Sequence, residues 1–345
     1  MTPGGRRVLR WGSLSLMWHP RSLRYCLILL GLSLLAALAL LATGTLQLSP
    51  NDVLWGLLGQ GVDPVAERIL HRVRLPRVLT AAGVGAALGL AGAVFQSISR
   101  NALGSPDVIG FTTGAATGAI AQLVFGSGTA FGTAMAAIGS GMLTALVVLL
   151  LARRDGAGSG YRLVLVGIGV GAVLTGVNTM LLAKGGLDRV ASAQLWLAGS
   201  LSARNWGHVW IVGAGLALFV PVVIVLGPRL KWMELGEDMA RQLGLSVSRT
   251  RMSLVLAAVG LTSLSTAATG PIAFIALAAP QIARRLSRSS DVPLLSAALT
   301  GMVLVLTADL LSQWANGFLV LPIGLVTGGL GGVYLLLILT LKIRS

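Results

Sequence analysis

Residues 228–249 read PRLKWMELGEDMARQLGLSVSR, a short polar stretch in a chain that is otherwise almost continuous apolar span. Three of the chain's 11 acidic residues, Glu234, Glu237 and Asp238, fall within five positions of it. Leu235, Met239 and Leu243 recur at i, i+4 and i+8, which places them on one face of a helix. Acids at its start and Arg241 near its end complement a helix dipole, and Gly244 is a natural stop. The pattern predicts a compact helical turn on the cytoplasmic side of a membrane. Such an element receives force or information from a partner.

Working outward, the 345 residues are 55% hydrophobic and only 11% charged, with 46 glycines. A soluble domain carries about 25% charged residues. In lipid only helices or closed barrels satisfy the backbone. The apolar runs span roughly 17–23 residues rather than alternating in tens, so helices are expected. The fold class is therefore all-α: one polytopic transmembrane domain over 1–345, with a basic cytoplasmic N-terminus at 1–24 and the polar segment at 228–249. Ten spans are expected at 25–45, 77–97, 108–125, 130–152, 162–183, 207–227, 250–268, 271–287, 293–313 and 321–341.

The net charge of +15 could suggest nucleic-acid binding, but the basic residues gather where spans end. With the N-terminus inside, nineteen of the 26 Lys and Arg residues fall on cytoplasmic segments and both termini are cytoplasmic. The outer side holds Arg68, Arg72, Arg74, Arg77, Lys184, Arg189 and Arg204. The N-terminal GGRRVLRWGSLSLMWHPRSLRY resembles a signal-peptide n-region with a twin Arg. The run Cys26–Ala42 that follows is longer than a usual h-region and no small-x-small site ends it, so a retained first span is expected.

Three glycine ladders run at four-residue spacing: Gly85/Gly89, Gly110/Gly114/Gly118 and Gly324/Gly328/Gly332. Small residues on one face let helix backbones approach closely. Tight packing within one bundle accounts for them, and a moving interface is the alternative. Spans 2–5 and 7–10 are weakly alike, as in an inverted repeat.

No chemistry-bearing constellation emerges. The only lysines are Lys184, Lys231 and Lys342, and none lies in a GxxxxGK[ST] frame, so the chain is not its own P-loop ATPase. The single Cys26 and the scattered His19, His71 and His208 give neither a disulfide nor a metal pattern. A non-catalytic role with no metal and no bound cofactor is expected. Asp309, in VLTADLLSQW, is the one acidic charge inside a span; hydrogen bonding with Ser312 and Gln313 competes with a proton relay as its role. Asp107, after Ser105-Pro106, reads as an N-cap. Thr175, Asn178 and Thr179 could line a polar, uncharged path or bond between helices. The outer RILHRVRLPR offends positive-inside logic, so headgroups, solvation or a carboxylate-bearing partner must offset its arginines.

Four segments together resemble the FecCD-type permeases of ABC importers for iron chelates, haem and vitamin B12. They are RLPRVLTAAGVGAALGLAGAVFQSISRNALGSPDVIGFTTGA (74–115), LGEDMARQLGLS (235–246), TGPIAFIALAAPQIARR (269–285) and LPIGLVTGGLGGVYL (321–335). Within that family, RNALGSPDVIGF, GIGVGAVLTGVNTMLLAK and QLWLAGSLS are most similar to permease subunits for ferric enterobactin.

The resemblance implies roles. Leu235, Gly236, Glu237, Asp238, Ala240, Arg241, Leu243, Gly244 and Leu245 would couple to a separate ATPase, which handles ATP and Mg²⁺. Arg74 and Arg77 would meet acids on a periplasmic or lipoprotein substrate-binding protein; Gln313 stands near where some relatives carry a further outer basic residue. An inner gate maps to Asn101 and the turn Gly158-Ser159-Gly160, with spans 5 and 10 along the path at a dimer interface. Two positions depart from the family pattern: Ala102 replaces a Pro and Gln281 a His.

The expected protein is an inner-membrane permease subunit importing a ferric siderophore, of catecholate type. A second permease, as a heterodimer rather than a homodimer, and two ATPase subunits complete it. A haem or cobalamin permease and an ion-coupled secondary carrier are the rival readings.

Overall fold

The computed structural model describes residues 7–11, 14–18, 20–44, 46–60, 63–152, 159–287, 292–315 and 321–342. A two-stranded antiparallel hairpin, β1 (Arg7–Trp11) and β2 (Leu14–Trp18), precedes the helices, pairing Arg7 with Trp18. The helices are α1 (Pro20–Ala42), α2 (Pro50–Leu57), α3 (Pro64–Ile69), α4 (Leu75–Ser99), α5 (Phe111–Phe125), α6 (Ala130–Ala152) and α7 (Ser159–Ala183). They continue with α8 (Leu187–Leu197), α9 (Trp206–Leu235), α10 (Glu237–Gln242), α11 (Val247–Thr269), α12 (Ile275–Ser287), α13 (Leu294–Ala315) and α14 (Ile323–Lys342).

Every expected span has its helix. Seven helical stretches among the described residues are long and apolar enough to cross a membrane; the α5 and α14 stretches are apolar but shorter, and α12 has only 13 residues. Three things differ from expectation. Short α2, α3 and α8 join spans where none was foreseen, and α3 runs through a π turn at 70–74 into α4. A capping box starts α2: Ser49 Oγ accepts from the Asp52 amide while Asp52 Oδ2 accepts from the Ser49 amide. The sixth span does not stop at 227. It continues through Pro221 and Pro228 to Leu235, 30 residues in all, so the polar segment begins as the end of a long helix.

Two helices are the spine. Most of α4 and α11 is buried, whereas little of α7 and α9 is. On α4, Gly85 and Gly89 lie directly against the backbone of Gly301 and Ala297 on α13, and Gly92 lies against Ala276 of α12. In the second ladder, Gly114 and Gly118 receive Thr144 and Ser140 of α6, and the Gly118 amide donates to Ser140 Oγ at 3.2 Å. Both ladders are thus packing seams inside the bundle. The third differs: Gly324 abuts the Ala198 and Pro271 carbonyls, but Gly328 and Gly332 face open space.

The apolar interior has two main cores. One, at the α10 end, includes Phe95, Ile98, Phe111, Leu163, Leu230 and Leu254, with the Phe95 and Phe111 rings 5.3 Å apart. The other, at the opposite end, includes Leu40, Leu70, Val84, Leu201, Val305 and Ile323.

A Gly89→Val change must separate α4 from α13. It is expected to cost about 3 kcal/mol or more. The measurement is thermal unfolding in detergent, with Gly332→Val, at an open site, leaving the midpoint nearly unchanged.

Candidate functional site

The α10 end carries the features the sequence singled out. A helix of 30 residues is about 45 Å long, well beyond the ~30 Å hydrocarbon core, so α9 projects its last turns into water. It ends because Gly236 has φ 134° and ψ 147°, a conformation open to glycine. The six-residue α10 then closes with a Schellman turn: Gly244 has φ 79°, its amide donates to the Arg241 carbonyl at 2.9 Å, and the Leu245 amide donates to Ala240 at 3.0 Å.

The segment has two faces. Leu235, Met239 and Leu243 are 66%, 52% and 54% exposed, but the break at Gly236 leaves Leu235 at the end of α9, Met239 on α10 and Leu243 at its C-cap, so they do not share the single helical face expected from their spacing. Ala240 is buried and packs with Met233 and Val247, with Leu245 against them. Glu237 is also buried; it pairs with Arg251 of α11 at 2.6 Å and Arg241 at 3.3 Å. Asp238 is exposed and pairs with Arg241 at 2.8 Å. The expected contact set over Leu235–Leu245 therefore splits. Glu237 and Ala240 fasten the turn to the bundle from within, and Leu235, Met239 and Leu243 present outward, with Asp238 beside them.

The expected gate turn lies next to this segment. Arg100 ends α4 with φ 49°, and Asn101 Oδ1 accepts from the Leu103 amide at 2.9 Å. Gln281 Nε2 donates to the Ala102 carbonyl at 2.7 Å. The two positions that depart from the family pattern thus touch: the amide that stands for His holds the carbonyl of the residue that stands for Pro. A cleft of about 410 Å³ opens here, lined by Gln96, Arg100, Asn101, Ala102, Glu234, Gln281, Arg284 and Arg285. Gly158 lies outside the described residues. Ser159 is the first residue of α7, and the neighbouring Gly160 packs against the Ile98 carbonyl of α4, which brings the second expected gate element to the same place.

At the opposite end the arginines are not what the sequence suggested. Arg74 is buried; its Nη1 donates to the Leu41 carbonyl at 2.6 Å and the Ala42 carbonyl at 3.2 Å, and its Nη2 donates to Leu46. It caps the unsatisfied C-terminus of α1. Arg77 forms a bidentate pair with Asp309, Nε to Oδ2 at 2.9 Å and Nη2 to Oδ1 at 2.6 Å, with the carboxylate 1% exposed. Arg68 and Arg72 are exposed, whereas Arg74 is buried and Arg77 partly so. Of the four basic residues that offended positive-inside logic, Arg77 is neutralised by Asp309 and Arg74 has its donors taken up by backbone carbonyls. Arg204, between α8 and α9, donates to the Ser200 carbonyl at 3.0 Å, and burial pulls its pKa down.

Asp309 makes one of its two expected hydrogen bonds, and the other partner differs. Gln313 Nε2 donates to it at 3.3 Å, whereas Ser312 donates to the Leu321 carbonyl. Arg77 was missed because it lies 232 residues away; a buried acid at a span end nonetheless demands a cation. Asp107 is no simple N-cap of α5. That position is Gly110, and Asp107 accepts from Thr112 Oγ1 at 2.5 Å and from the Phe274 amide. Thr175 and Thr179 are exposed on α7, each donating to the carbonyl four residues back, while the buried Asn178 Oδ1 has no partner. Among the described residues no three His, Cys, Asp or Glu side chains cluster as for a metal.

An all-α polytopic bundle that gathers an exposed polar turn and a loop-lined cleft at one end has the architecture of a transport permease. The comparisons name its kind. The model of the FecCD transport family matches residues 29–341. The ferric enterobactin transport system permease protein FepG of Escherichia coli (strain K12) is 41% identical over 325 residues, covering 94% of this chain and 98% of that protein. The Fe(3+)-citrate import system permease protein YfmE of Bacillus subtilis (strain 168) is 36% identical, covering 94% and 97%. A solved inward-facing ABC transporter of the metal-chelate type superposes with a TM-score of 0.81 at 27% identity, covering 92% of this chain and 99% of that one. The chain belongs to the FecCD transport family.

Arg77→Ala or Asp309→Asn leaves a buried charge or its partner unmatched and is expected to cost ~3–5 kcal/mol. The double variant Arg77→Met/Asp309→Leu is expected to recover most of that loss in thermal unfolding and to retain transport, which a proton relay at Asp309 would not allow.

Proposed function

We propose that this chain is the membrane-embedded permease subunit of a binding-protein-dependent ABC importer, and that its cargo is a ferric siderophore of catecholate type. The single observation that carries the cargo reading is the 41% identity, over 94% of the chain, to a ferric enterobactin permease. In this reading the chain performs no chemistry. The iron crosses within its chelate, and a separate ATPase supplies the energy with its own ATP and Mg²⁺.

Exposed Leu235, Met239 and Leu243 suit the ATPase contact. Exposed apolar residues on a short, braced turn outside the lipid have no other purpose within the chain. Asn101 and the start of α7 at Ser159 form the inner gate. A second permease covers α7 and α14. Both have glycines facing open space, Gly169 and Gly176 on one and Gly328 and Gly332 on the other, and Thr175, Asn178 and Thr179 lie on α7. A heterodimer is favoured by the enterobactin-type likeness. In this orientation α10 and both termini are cytoplasmic in a bacterial inner membrane, and Arg68 and Arg72 meet acids on the binding protein.

Leu235→Asp/Leu243→Asp, at exposed positions, is expected to leave the fold intact and to abolish co-purification of the ATPase and ATP-driven uptake. Uptake of ferric catecholates by the assembled importer tests the cargo; transport of cobalamin or haem alone would overturn it. Arg68→Glu/Arg72→Glu is expected to weaken binding-protein affinity about tenfold or more by charge reversal.

A further inference from the structure

Glu234 is the last charged residue of α9 before the break at Gly236. Its Oε1 accepts from Ser97 Oγ at 2.7 Å and from Arg284 Nη2 at 3.0 Å, so one oxygen is tied to two other helices. Ser97 is buried in the last turn of α4, four residues before Asn101. Arg284 lies three residues after Gln281 on α12, hence on the same face, and Gln281 holds the Ala102 carbonyl. Both arms therefore end on the turn at 100–104, one along α4 and one along α12. Glu234, Arg284, Gln281, Asn101 and Ala102 wall the cleft of about 410 Å³.

Glu234 is equally bound to the docking turn. Its neighbour Met233 packs with Ala240 of α10 and Val247 of α11. The Glu237–Arg251 pair holds α10 to α11 at 2.6 Å. A push on the exposed face of α10 reaches Met233 and Glu234 through close-packed contacts of low compressibility.

We propose that Glu234 is a positioning residue that transmits displacement of α10 to the turn at 100–104, with Ser97 and Arg284 as its two arms. This rests on the reading of α10 as the ATPase contact and of Asn101 as part of the gate. A carboxylate suits the task because charge-assisted hydrogen bonds are the strong ones, and one oxygen accepts two donors at once. The arms are unequal. The Ser97 hydroxyl is buried, and losing its acceptor leaves it unsatisfied. Arg284 is 47% exposed, so its bond is weaker and can break and re-form in each cycle.

The test uses the assembled importer in proteoliposomes, with ATP hydrolysis and ferric-catecholate uptake measured on the same vesicles. Glu234→Gln and Arg284→Gln are expected to leave assembly and thermal stability near wild type and to lower chelate moved per ATP about tenfold. The exchange Glu234→Arg/Arg284→Glu is expected to restore most of the ratio, since the Ser97 hydroxyl can accept as well as donate. Single variants that leave the ratio unchanged, or that lower hydrolysis and uptake in parallel, overturn the proposal.

A second readout needs no cargo. Cys26 is the only cysteine and is buried, so Cys26→Ser/Ala102→Cys places one reactive thiol at the gate turn. ATP is expected to change its labelling rate, and Glu234→Gln to remove that change. If wild type takes up no ferric catecholate, the cargo reading fails, and the labelling alone decides: an ATP-dependent change that persists in Glu234→Gln overturns the role of Glu234.

Discussion

The structure depends on the approach of α4 to α13, backbone against backbone at Gly85, Gly89 and Gly301. In lipid no hydrophobic force drives helices together, so contact must come from van der Waals fit and from polar groups that find partners. Glycine at these positions removes the side chains that would hold the helices apart. Once α4 is seated, its two ends are committed. One end holds the Arg77–Asp309 pair, and the other holds the Ser97–Glu234 bond and the turn that follows. A rigid rod with polar fasteners at each end suits a protein that carries a displacement without taking part in a reaction.

The charged residues follow one rule. Two ion pairs with a buried carboxylate fix one element to another: Arg77–Asp309 fixes α4 to α13, and Glu237–Arg251 fixes α10 to α11. Arg74 does the same with carbonyls, closing the end of α1. The exposed apolar residues Leu235, Met239 and Leu243 stand apart, because nothing among the described residues covers them.

Much of the fold was legible because the bilayer simplifies it. Run length placed a helix at each of the ten expected spans, seven of them in stretches long and apolar enough to cross a membrane, whereas the i, i+4, i+8 spacing of Leu235, Met239 and Leu243 did not foresee the break at Gly236. The short α2 was missed although its capping box was present in Ser49 and Asp52, because hydropathy dominates such a sequence. The end of the sixth span was misplaced at Pro228. Proline reads as a stop, yet a helix can carry it inside when its last turns reach water. The candidate site was legible in type and not in detail. The family resemblance implies docking for Arg74 and Arg77, and only the tertiary structure shows the distant groups within the chain that each of them bonds.

By itself, then, the sequence determined an all-α polytopic membrane protein, the place of its polar turn and its family. Those follow from local quantities: apolar run length, helical spacing and motif order. Tertiary structure alone decided which glycines are seams and which face open space, which acid meets which arginine, and that Glu234 joins α9 to both α4 and α12. These pairings span from about 50 to more than 200 residues of chain. No local pattern encodes them, because helices sharing one apolar composition can be arranged around each other in many ways until backbone contact and charge neutralisation select one.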